Sequence, residues 1–324
     1  MSPIVKLDLK DKKIILELEK DCRQSNHQLG RKVGLSPDVV RYRINRLEKN
    51  EIIAWHLSFV NFAKLGYTDY GVYASTQHLT IEKEKRFIDY FQSHQHVSYL
   101  AKLGGKYDFI IGILAKNILD FDQILSEIMN KVGENISAKD ISTRVALYHF
   151  PKSYLVGSRE QHKLPSFGGE ITTALIDETD SKILKMLSTH ARMDIITLAY
   201  QIKVPASTTA LRIKKLQQKK IIEGFFSFTR CQNYSFQNHI IFLNLKNHSL
   251  KDEQKICSYC QQHPNIVYLI KTVGKWDYEL SVEVQDLLFL QTILSELKEQ
   301  FSEILDNMEI ITVFQDLKYN LYPF

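Results

Sequence analysis

The stretch Ser25-Asn26-His27-Gln28-Leu29-Gly30-Arg31-Lys32-Val33-Gly34-Leu35-Ser36-Pro37 decides how the first part of the chain folds. Ser25, or the asparagine after it, is suited to begin a short helix, and Gly34 supplies a tight turn after that helix. Ser36 then caps a further helix that starts at Pro37, where proline is tolerated because the first N–H of a helix has no partner within it. The stretch therefore predicts two short helices joined by a sharp turn.

Another helix is predicted before this stretch. Asp8 is suited to cap it, and Asp11 follows three positions later, ahead of an apolar run at helical spacing. After the turn, Val40, Ile44 and Leu47 recur at the same spacing and are expected to face the first two helices. Three short helices in this order predict a helix-turn-helix, whose last helix is the usual reader of the DNA major groove.

The same pattern recurs 169 residues later. Leu7-Asp8-Leu9-Lys10-Asp11-Lys12-Lys13-Ile14 aligns with Ile176-Asp177-Glu178-Thr179-Asp180-Ser181-Lys182-Ile183. The register then holds far downstream, where it pairs Arg23 with Arg192, Leu29 with Leu198, Arg43 with Arg212, Gly105 with Gly274, Asp108 with Asp277 and Thr143 with Thr312. One unbroken register over this length predicts a duplicated and fused two-domain unit.

Each helix-turn-helix is followed by strand and helix patterns in the order βαββαβ. The predicted strands cover 69–77, 97–103, 107–115 and 137–148 in the first copy, and 237–246, 266–273, 276–284 and 307–317 in the second. The predicted helices cover 80–93, 119–132, 250–263 and 287–304. The fold class is therefore α+β, with a ferredoxin-like sheet covered by helices on one face in each copy. The bare sheet face needs a cover, most simply the equivalent domain of the other copy.

The repeat and the composition together divide the chain into five segments. These are a helix-turn-helix domain (1–62), a βαββαβ domain (63–150), a glycine- and proline-containing linker (151–171), a second helix-turn-helix domain (172–231) and a second βαββαβ domain (232–324). Net charge is +4 over residues 1–60 and +5 over 171–230, whereas it is −5 over 231–324. Positive charge is thus concentrated in the two helix-turn-helix blocks, which favours a polyanionic partner there.

The outward face of the last helix in the first block carries side chains suited to DNA. Arg41 is suited to pair bidentately with guanine and Asn45 with adenine, while neighbouring basic side chains neutralise phosphates. The predicted DNA-binding residues of this block are Ser36, Asp38, Arg41, Tyr42, Arg43, Asn45, Arg46 and Lys49. The alternative interpretation is a solvated basic helix face, or a three-helix module that contacts proteins.

The corresponding helix of the second block keeps its positive charge but loses most long base-reading side chains. Its predicted DNA-binding residues are Ser207, Thr208, Arg212, Lys214 and Lys215. Lys203 replaces the turn glycine Gly34, and Val204-Pro205 replaces Leu35-Ser36. We therefore expect the second reader to be less sequence-selective than the first, or to read methyl groups and DNA shape.

Other classes of protein find little support in the sequence. No apolar run reaches the length of a membrane span and residues 1–6 lack a signal-peptide core, so we expect a cytoplasmic protein without a membrane partner. Cys257, Cys260 and His263 resemble a metal motif, but the repeat register aligns both cysteines with apolar positions of the first copy, Ile88 and Phe91. We therefore predict core cysteines, no metal and no cofactor; no phosphate-binding loop or nucleophile elbow is present in the sequence.

The helix-turn-helix pattern, combined with Gly105-x-x-Asp108 in a βαββαβ domain, resembles the Lrp/AsnC (feast/famine) transcription regulators, twice over nearly the whole chain. The resemblance implies double-stranded DNA as partner. It also implies dimerisation through the βαββαβ domains, further assembly into larger homo-oligomers, and an amino acid or other small effector bound where these domains meet. By this resemblance, the hairpin residues near the effector are Gly105, Asp108, Gly274 and Asp277. The alternative for the hairpins is a turn glycine and a strand-initiating aspartate without a ligand.

Two further interpretations remain open. Siroheme decarboxylases look like the same two-domain architecture, but they have a His-Tyr-Arg and Asn-Trp-Phe type of signature where this chain has Val97-Ser98-Tyr99-Leu100-Ala101-Lys102 and Tyr107-Asp108-Phe109. The second interpretation is an effector-sensing interaction protein that has lost DNA binding. The altered turn of the second helix-turn-helix favours it. Our main expectation is a sequence-specific DNA-binding transcriptional regulator that is not an enzyme, in which one chain acts as a dimer.

Overall fold

The computed structural model describes residues 5–157 and 165–324. The first half contains α1 (Leu9–Lys20), α2 (Asn26–Val33), α3 (Pro37–Lys49), β1 (Ile53–Val60), β2 (Thr68–Thr76), α4 (Ile81–Ser93), β3 (Val97–Gly104), β4 (Phe109–Ala115), α5 (Ile118–Val132) and β5 (Ile136–His149). A short strand, β6 (Phe167–Gly168), follows. The second half contains α6 (Glu178–Leu187), α7 (Ile195–Ile202), α8 (Ala206–Gln218), β7 (Ile222–Thr229), β8 (Gln237–Leu245), α9 (Leu250–Gln262), β9 (Ile266–Gly274), β10 (Tyr278–Val284), α10 (Leu287–Gln300) and β11 (Leu305–Tyr319). The predicted α+β fold class is confirmed.

The helices of the first block begin where the sequence predicts caps. The Asp8 and Asp11 side chains each accept a hydrogen bond from the other residue's backbone N–H, which forms a capping box at the start of α1. Ser25 makes the same arrangement at α2, and Ser36 caps α3 with Pro37 as its first residue. The polar signals in the sequence therefore set the helix boundaries.

The sheets of the two halves join into one closed sheet. Strands pair in the order β2-β4-β3-β11-β8-β10-β9-β5, and β5 pairs back onto β2. Two seams connect the halves: β3 with β11, and β5 with β9. The bare sheet faces predicted from the sequence thus cover each other across the interior of this closed sheet, and α4, α5, α9 and α10 cover the outside.

A separate two-stranded ribbon joins the helix-turn-helix units. Strands β1 and β7 pair antiparallel, and Leu57 lies opposite Phe226, which is its own repeat mate at an offset of 169. Arg23 donates to the Ala191 carbonyl at 2.5 Å, and its repeat mate Arg192 donates to the carbonyl of Cys22, the repeat mate of Ala191, at 2.6 Å. These reciprocal contacts are those of an isologous twofold interface, built here within one chain.

The described parts of the predicted linker 151–171 pack against both halves. Lys152 and Phe167 are buried, and the Phe167 ring lies 4.4 Å from that of Phe62. Residues 158–164 of this predicted segment lie outside the described residues, as do residues 1–4 of the first predicted domain. Among the helices of 5–157 and 165–324, none is both long and apolar enough to cross a membrane.

Candidate functional site

The exposed face of α3 carries the polar and charged side chains of the candidate DNA interface. Val40, Ile44 and Leu47 are buried against the other helices, which turns Arg41 and Asn45 outward. The Tyr42 side chain beside them is two-thirds exposed. Arg41 pairs with Asp38 at 2.9 Å, but both side chains are solvent-exposed, so this ion pair is weak enough to yield to a DNA contact.

The turn before α3 depends on a glycine conformation. Gly34 has φ +65°, the left-handed region that side chains with a Cβ avoid. Its N–H donates to the Gly30 carbonyl, which ends α2. A Cβ on Gly30 would lie 2.4 Å from the Leu35 carbonyl oxygen, so the chain after the turn passes directly over α2. The turn therefore fixes the angle at which α3 is presented.

Two of the predicted phosphate-binding arginines, both partly exposed, form ion pairs with carboxylates of the same unit. Arg43 donates to Asp8 at 2.7 Å and to Asp11 at 2.8 Å, and Arg46 also pairs with Asp11, whose side chain is almost completely buried. These bonds hold α3 against the N-terminus of α1. Arg43 thus has a structural role that the sequence pattern did not reveal, although the pairing of Asp8, Asp11 and Arg43 with Asp177, Asp180 and Arg212 in the repeat was a signal for it.

The second block repeats this clamp but presents a different surface. Arg212 donates to Asp177 at 2.5 Å and to Asp180 at 3.0 Å. The outward side chains of α8 include Ala206, Ala210 and Leu211, where α3 has Pro37, Arg41 and Tyr42. The remaining predicted contacts in this block lie on the same helix: Ser207, Lys214 and Lys215 are exposed and Thr208 is half-buried.

The second turn also lacks the features that stabilise the first. Lys203 adopts φ +58°, the same left-handed conformation as Gly34 but with a side chain. Pro205 stands at the cap of α8, where no side-chain hydrogen bond is made. On α7, Ile196 and Tyr200 are exposed where α2 has His27 and Arg31. The second unit therefore keeps the fold of the first but has a more apolar surface.

The predicted effector hairpins lie at the seams between the halves. Gly105 and Gly274 have φ +123° and +142°, and a Cβ on Gly274 would lie 2.8 Å from the Ile141 carbonyl oxygen of the opposite half. The Asp108 carboxylate accepts the Thr76 backbone N–H at 2.6 Å.

The second hairpin repeats this arrangement, because the Asp277 carboxylate accepts the Leu245 N–H at 2.7 Å. These carboxylates join each hairpin to the end of a neighbouring strand, β2 for Asp108 and β8 for Asp277. Their role toward an effector stays a prediction.

The cysteine cluster behaves as a packing feature. Cys260 is fully buried in the core between α9, α10 and the sheet, and Cys257 packs against the same core. Burial raises the pKa of both thiols, which disfavours the thiolate that metals require. Within the described part of the chain, no group of three or more histidine, cysteine, aspartate or glutamate side chains is placed to hold a metal ion.

Comparison with known proteins identifies the two helix-turn-helix units. The winged helix-turn-helix DNA-binding family matches residues 7–54 and 176–223, two ranges that are offset by the same 169 residues as the repeat. Across its whole length the chain is similar in structure to the siroheme decarboxylase NirDL, with a TM-score of 0.62, 97% of this chain and 94% of that chain covered, and 8% identity. This identity is low, so the similarity concerns the fold alone.

Sequence relatives extend beyond the helix-turn-helix. The chain is 32% identical over 129 residues to the HTH-type transcriptional regulator LrpC of Bacillus subtilis, which covers 40% of this chain and 85% of that protein. It is 30% identical over 125 residues to an uncharacterised HTH-type transcriptional regulator of Pyrococcus horikoshii, covering 38% of this chain and 78% of the relative. Each relative thus matches about one half of the duplicated chain. The chain belongs to the Lrp/AsnC family of helix-turn-helix transcriptional regulators.

Proposed function

We propose that this protein is a sequence-specific DNA-binding regulator in which one chain does the work of a dimer. The observation that carries the proposal is the β1–β7 ribbon with its reciprocal Arg23 and Arg192 contacts. This ribbon fixes the relative position of the two reader helices, α3 and α8, about a local twofold axis. Dimeric helix-turn-helix proteins use such symmetry to bind two half-sites about one helical turn, or a multiple of it, apart.

The two readers contribute unequally. Arg41 and Asn45 on α3 have the donors and acceptors that recognise guanine and adenine edges. The face of α8 offers Lys214, Lys215 and small side chains, which suit phosphates and groove shape. The bound site is therefore asymmetric, with one half-site of defined sequence and one of relaxed sequence.

Selection of bound duplexes from a random library, followed by footprinting, tests this proposal. The expected result is one strongly selected half-site and a protected region that extends about one or more helical turns to one side. Arg41→Ala and Asn45→Ala should each relax the selected sequence, whereas Arg86→Ala, an exposed arginine on α4, should not. Absence of any mobility shift at low salt would refute DNA binding, because phosphate contacts are strongest there.

The hairpin pairs Gly105/Asp108 and Gly274/Asp277 remain our proposed location for a small effector such as an amino acid. Their position where the two halves meet supports a role in changing how the halves pack. Titration of a free amino-acid panel against the DNA complex tests this, with Asp122→Asn, an exposed carboxylate on α5, as control. An amino acid that changes DNA affinity in wild type and control but not in Gly105→Ala would support the site.

The full-length similarity in fold to a siroheme decarboxylase favours testing one alternative function. Val97–Lys102 on β3 and Tyr107-Asp108-Phe109 in the hairpin lack the residues expected of that chemistry. Tyr107 is buried and donates to Asp140 at 2.5 Å, so its hydroxyl is already engaged. Ultraviolet-visible spectra with added siroheme decide this: a decarboxylated product would establish the enzyme, and an unchanged spectrum would support the regulator alone.

A further inference from the structure

The interior of the closed sheet contains a cavity of about 90 Å³ between the two halves. Aliphatic side chains such as Ile240, Ile270 and Val313 line part of its wall. Asp69, Arg144 and Asp316 line another part. A space of this size holds several water molecules or a small organic molecule.

Buried carboxylates outnumber buried cations around this cavity. Asp69, Glu279, Glu283 and Asp316 are each at least 95% buried. Arg144 pairs with Asp69 at 3.3 Å and with Glu279 at 3.0 Å, and Lys152 pairs with Glu283 at 2.6 Å. Two cations therefore pair with three of these four carboxylates, and the group has an excess of acidic side chains.

Asp316 is the carboxylate without a cationic partner. Its Oδ1 accepts the Tyr99 hydroxyl at 2.6 Å, and no basic side chain of the described residues lies within ion-pair distance of it. Arg230, which lies nearby, donates to the backbone carbonyl of Asp316 instead. Asp69 Oδ1, a buried acceptor in the cavity wall, has no hydrogen-bond partner. Buried polar atoms are normally satisfied, so this acceptor indicates a missing donor.

Comparison of the two halves shows that the fold does not require this polarity. At an offset of 169, Glu279 corresponds to Ile110, Glu283 to Leu114, Asp316 to Leu147, and Arg144 to Val313. The same sheet therefore accepts apolar residues at the equivalent positions of the other half. Burying unpaired carboxylates is costly, and a bound cation offsets that cost.

We propose that this cavity binds a small aliphatic amine, whose ammonium group pairs with Asp316 and Asp69 and whose hydrocarbon chain lies against Ile240, Ile270 and Val313. An organic cation fits better than a metal ion, because the described residues hold no group of three or more metal-ligating side chains. The ammonium group supplies the donor that Asp69 Oδ1 lacks and the cation within ion-pair distance that Asp316 lacks. This binding does not depend on the DNA-binding proposal.

Isothermal titration of the full chain with butan-1-amine tests the proposal. Butan-1-ol and butyrate serve as neutral and anionic analogues of similar length. The expected result is saturable binding of one butan-1-amine per chain, with at least roughly tenfold weaker binding of both analogues, because a charged pair in a buried site is worth more than about 1.4 kcal/mol. Failure of butan-1-amine to bind, or equal binding of butan-1-ol, would overturn it.

Matched variants locate the site. Asp316→Asn keeps the side-chain size and an acceptor for the Tyr99 hydroxyl, and it should weaken butan-1-amine binding roughly tenfold or more. Asp69→Asn introduces the residue found at the repeat mate Asn238 and should also weaken binding. Asp122→Asn should leave binding unchanged. If both interior variants bind butan-1-amine as the wild type does, the ligand lies elsewhere and the proposal is wrong.

Proton release gives a second readout that uses only the wild-type chain. Burial raises the pKa of Asp69 and of Asp316, so the free protein holds protons on these carboxyls at a higher pH than usual. The charged groups that face them are Arg144, Lys152, Arg230, Glu279 and Glu283. Butan-1-amine should therefore displace protons, and its affinity should rise with pH through the range in which these two carboxyls titrate. Binding heats that do not depend on the ionisation enthalpy of the buffer would contradict this assignment.

Discussion

The two places where the halves of this chain meet follow different rules. At the β1–β7 ribbon, Arg23 and Arg192 make equivalent bonds, so each half contributes the same contacts as the other. Inside the closed sheet, Arg144 pairs with Glu279, although their repeat mates are Val313 and Ile110. One interface has kept the symmetry of the duplication, and the other has lost it.

This difference shows what fusion permits. In a dimer of identical chains, every substitution at a twofold interface appears twice, so an arginine at position 144 would place two guanidinium groups in one interior. A fused chain changes one copy alone and provides partners from the other copy. An interior with one arginine and an excess of carboxylates is therefore accessible to the fused form, while the ribbon between the two helix-turn-helix units retains its symmetry.

The largest effect is expected from removing the charge at the centre of the asymmetric interface. Arg144→Val leaves Asp69 and Glu279 buried without a cation, which should lower the free energy of unfolding by about 3–5 kcal/mol. The triple variant Arg144→Val, Glu279→Ile, Asp69→Asn replaces all three by their repeat mates and should recover most of that loss. Urea unfolding followed by tryptophan fluorescence measures both.

Arg86→Val serves as the control, because the Arg86 side chain is exposed and its pair with Glu82 lies on the surface of α4. It should change the unfolding free energy by less than about 1 kcal/mol. A triple variant as unstable as Arg144→Val would mean that the asymmetric interior is required for folding, and that the two halves are not interchangeable there.

Much of the fold follows from the sequence because its signals are local or repeated. Caps such as Asp8 and Ser36 determine where helices begin, and the constant offset identifies core positions in both copies. The repeat also predicts Cys257 and Cys260 to be packing residues, and both contact the core of the second βαββαβ domain. These inferences need only the spacing of residues along one chain.

The contacts that escaped prediction join residues far apart in the sequence. The sequence predicts a phosphate contact for Arg43 because this residue lies on a basic helix. Its hydrogen-bond partners, Asp8 and Asp11, are 35 and 32 residues away. The pairing of β3 with β11 and of β5 with β9, which closes the sheet, also depends on the fold as a whole. The sequence contains one indication of the charged interior, because Glu279 stands where the first copy has Ile110. This difference predicts a buried charge only when the fold shows that both residues face the interior of the closed sheet.

An intermediate effect is expected from exchanging side chains between the two readers. Arg41→Ala should weaken binding to the selected site by about 1–3 kcal/mol, while binding to unrelated duplexes changes much less. Ala210→Arg places an arginine at the repeat mate of Arg41 and should increase the sequence preference of the second half-site. Fluorescence anisotropy with symmetric and asymmetric duplexes measures both changes. Equal losses on specific and unrelated DNA in Arg41→Ala would instead assign this arginine to a phosphate.

The smallest effect concerns the turns that present the readers. Lys203 holds the left-handed conformation that Gly34 holds in the first unit, and this conformation costs a residue with a side chain about 1–2 kcal/mol. Lys203→Gly should therefore stabilise the second unit by about 1 kcal/mol, and Gly34→Lys should destabilise the first unit by a similar amount. Hydrogen exchange at the α7 and α2 amides reports each unit separately, and the other unit serves as the internal control in each variant. If Lys203→Gly left α7 exchange unchanged, strain in this turn would not distinguish the readers, and their difference would lie in the exposed faces of α3 and α8 alone.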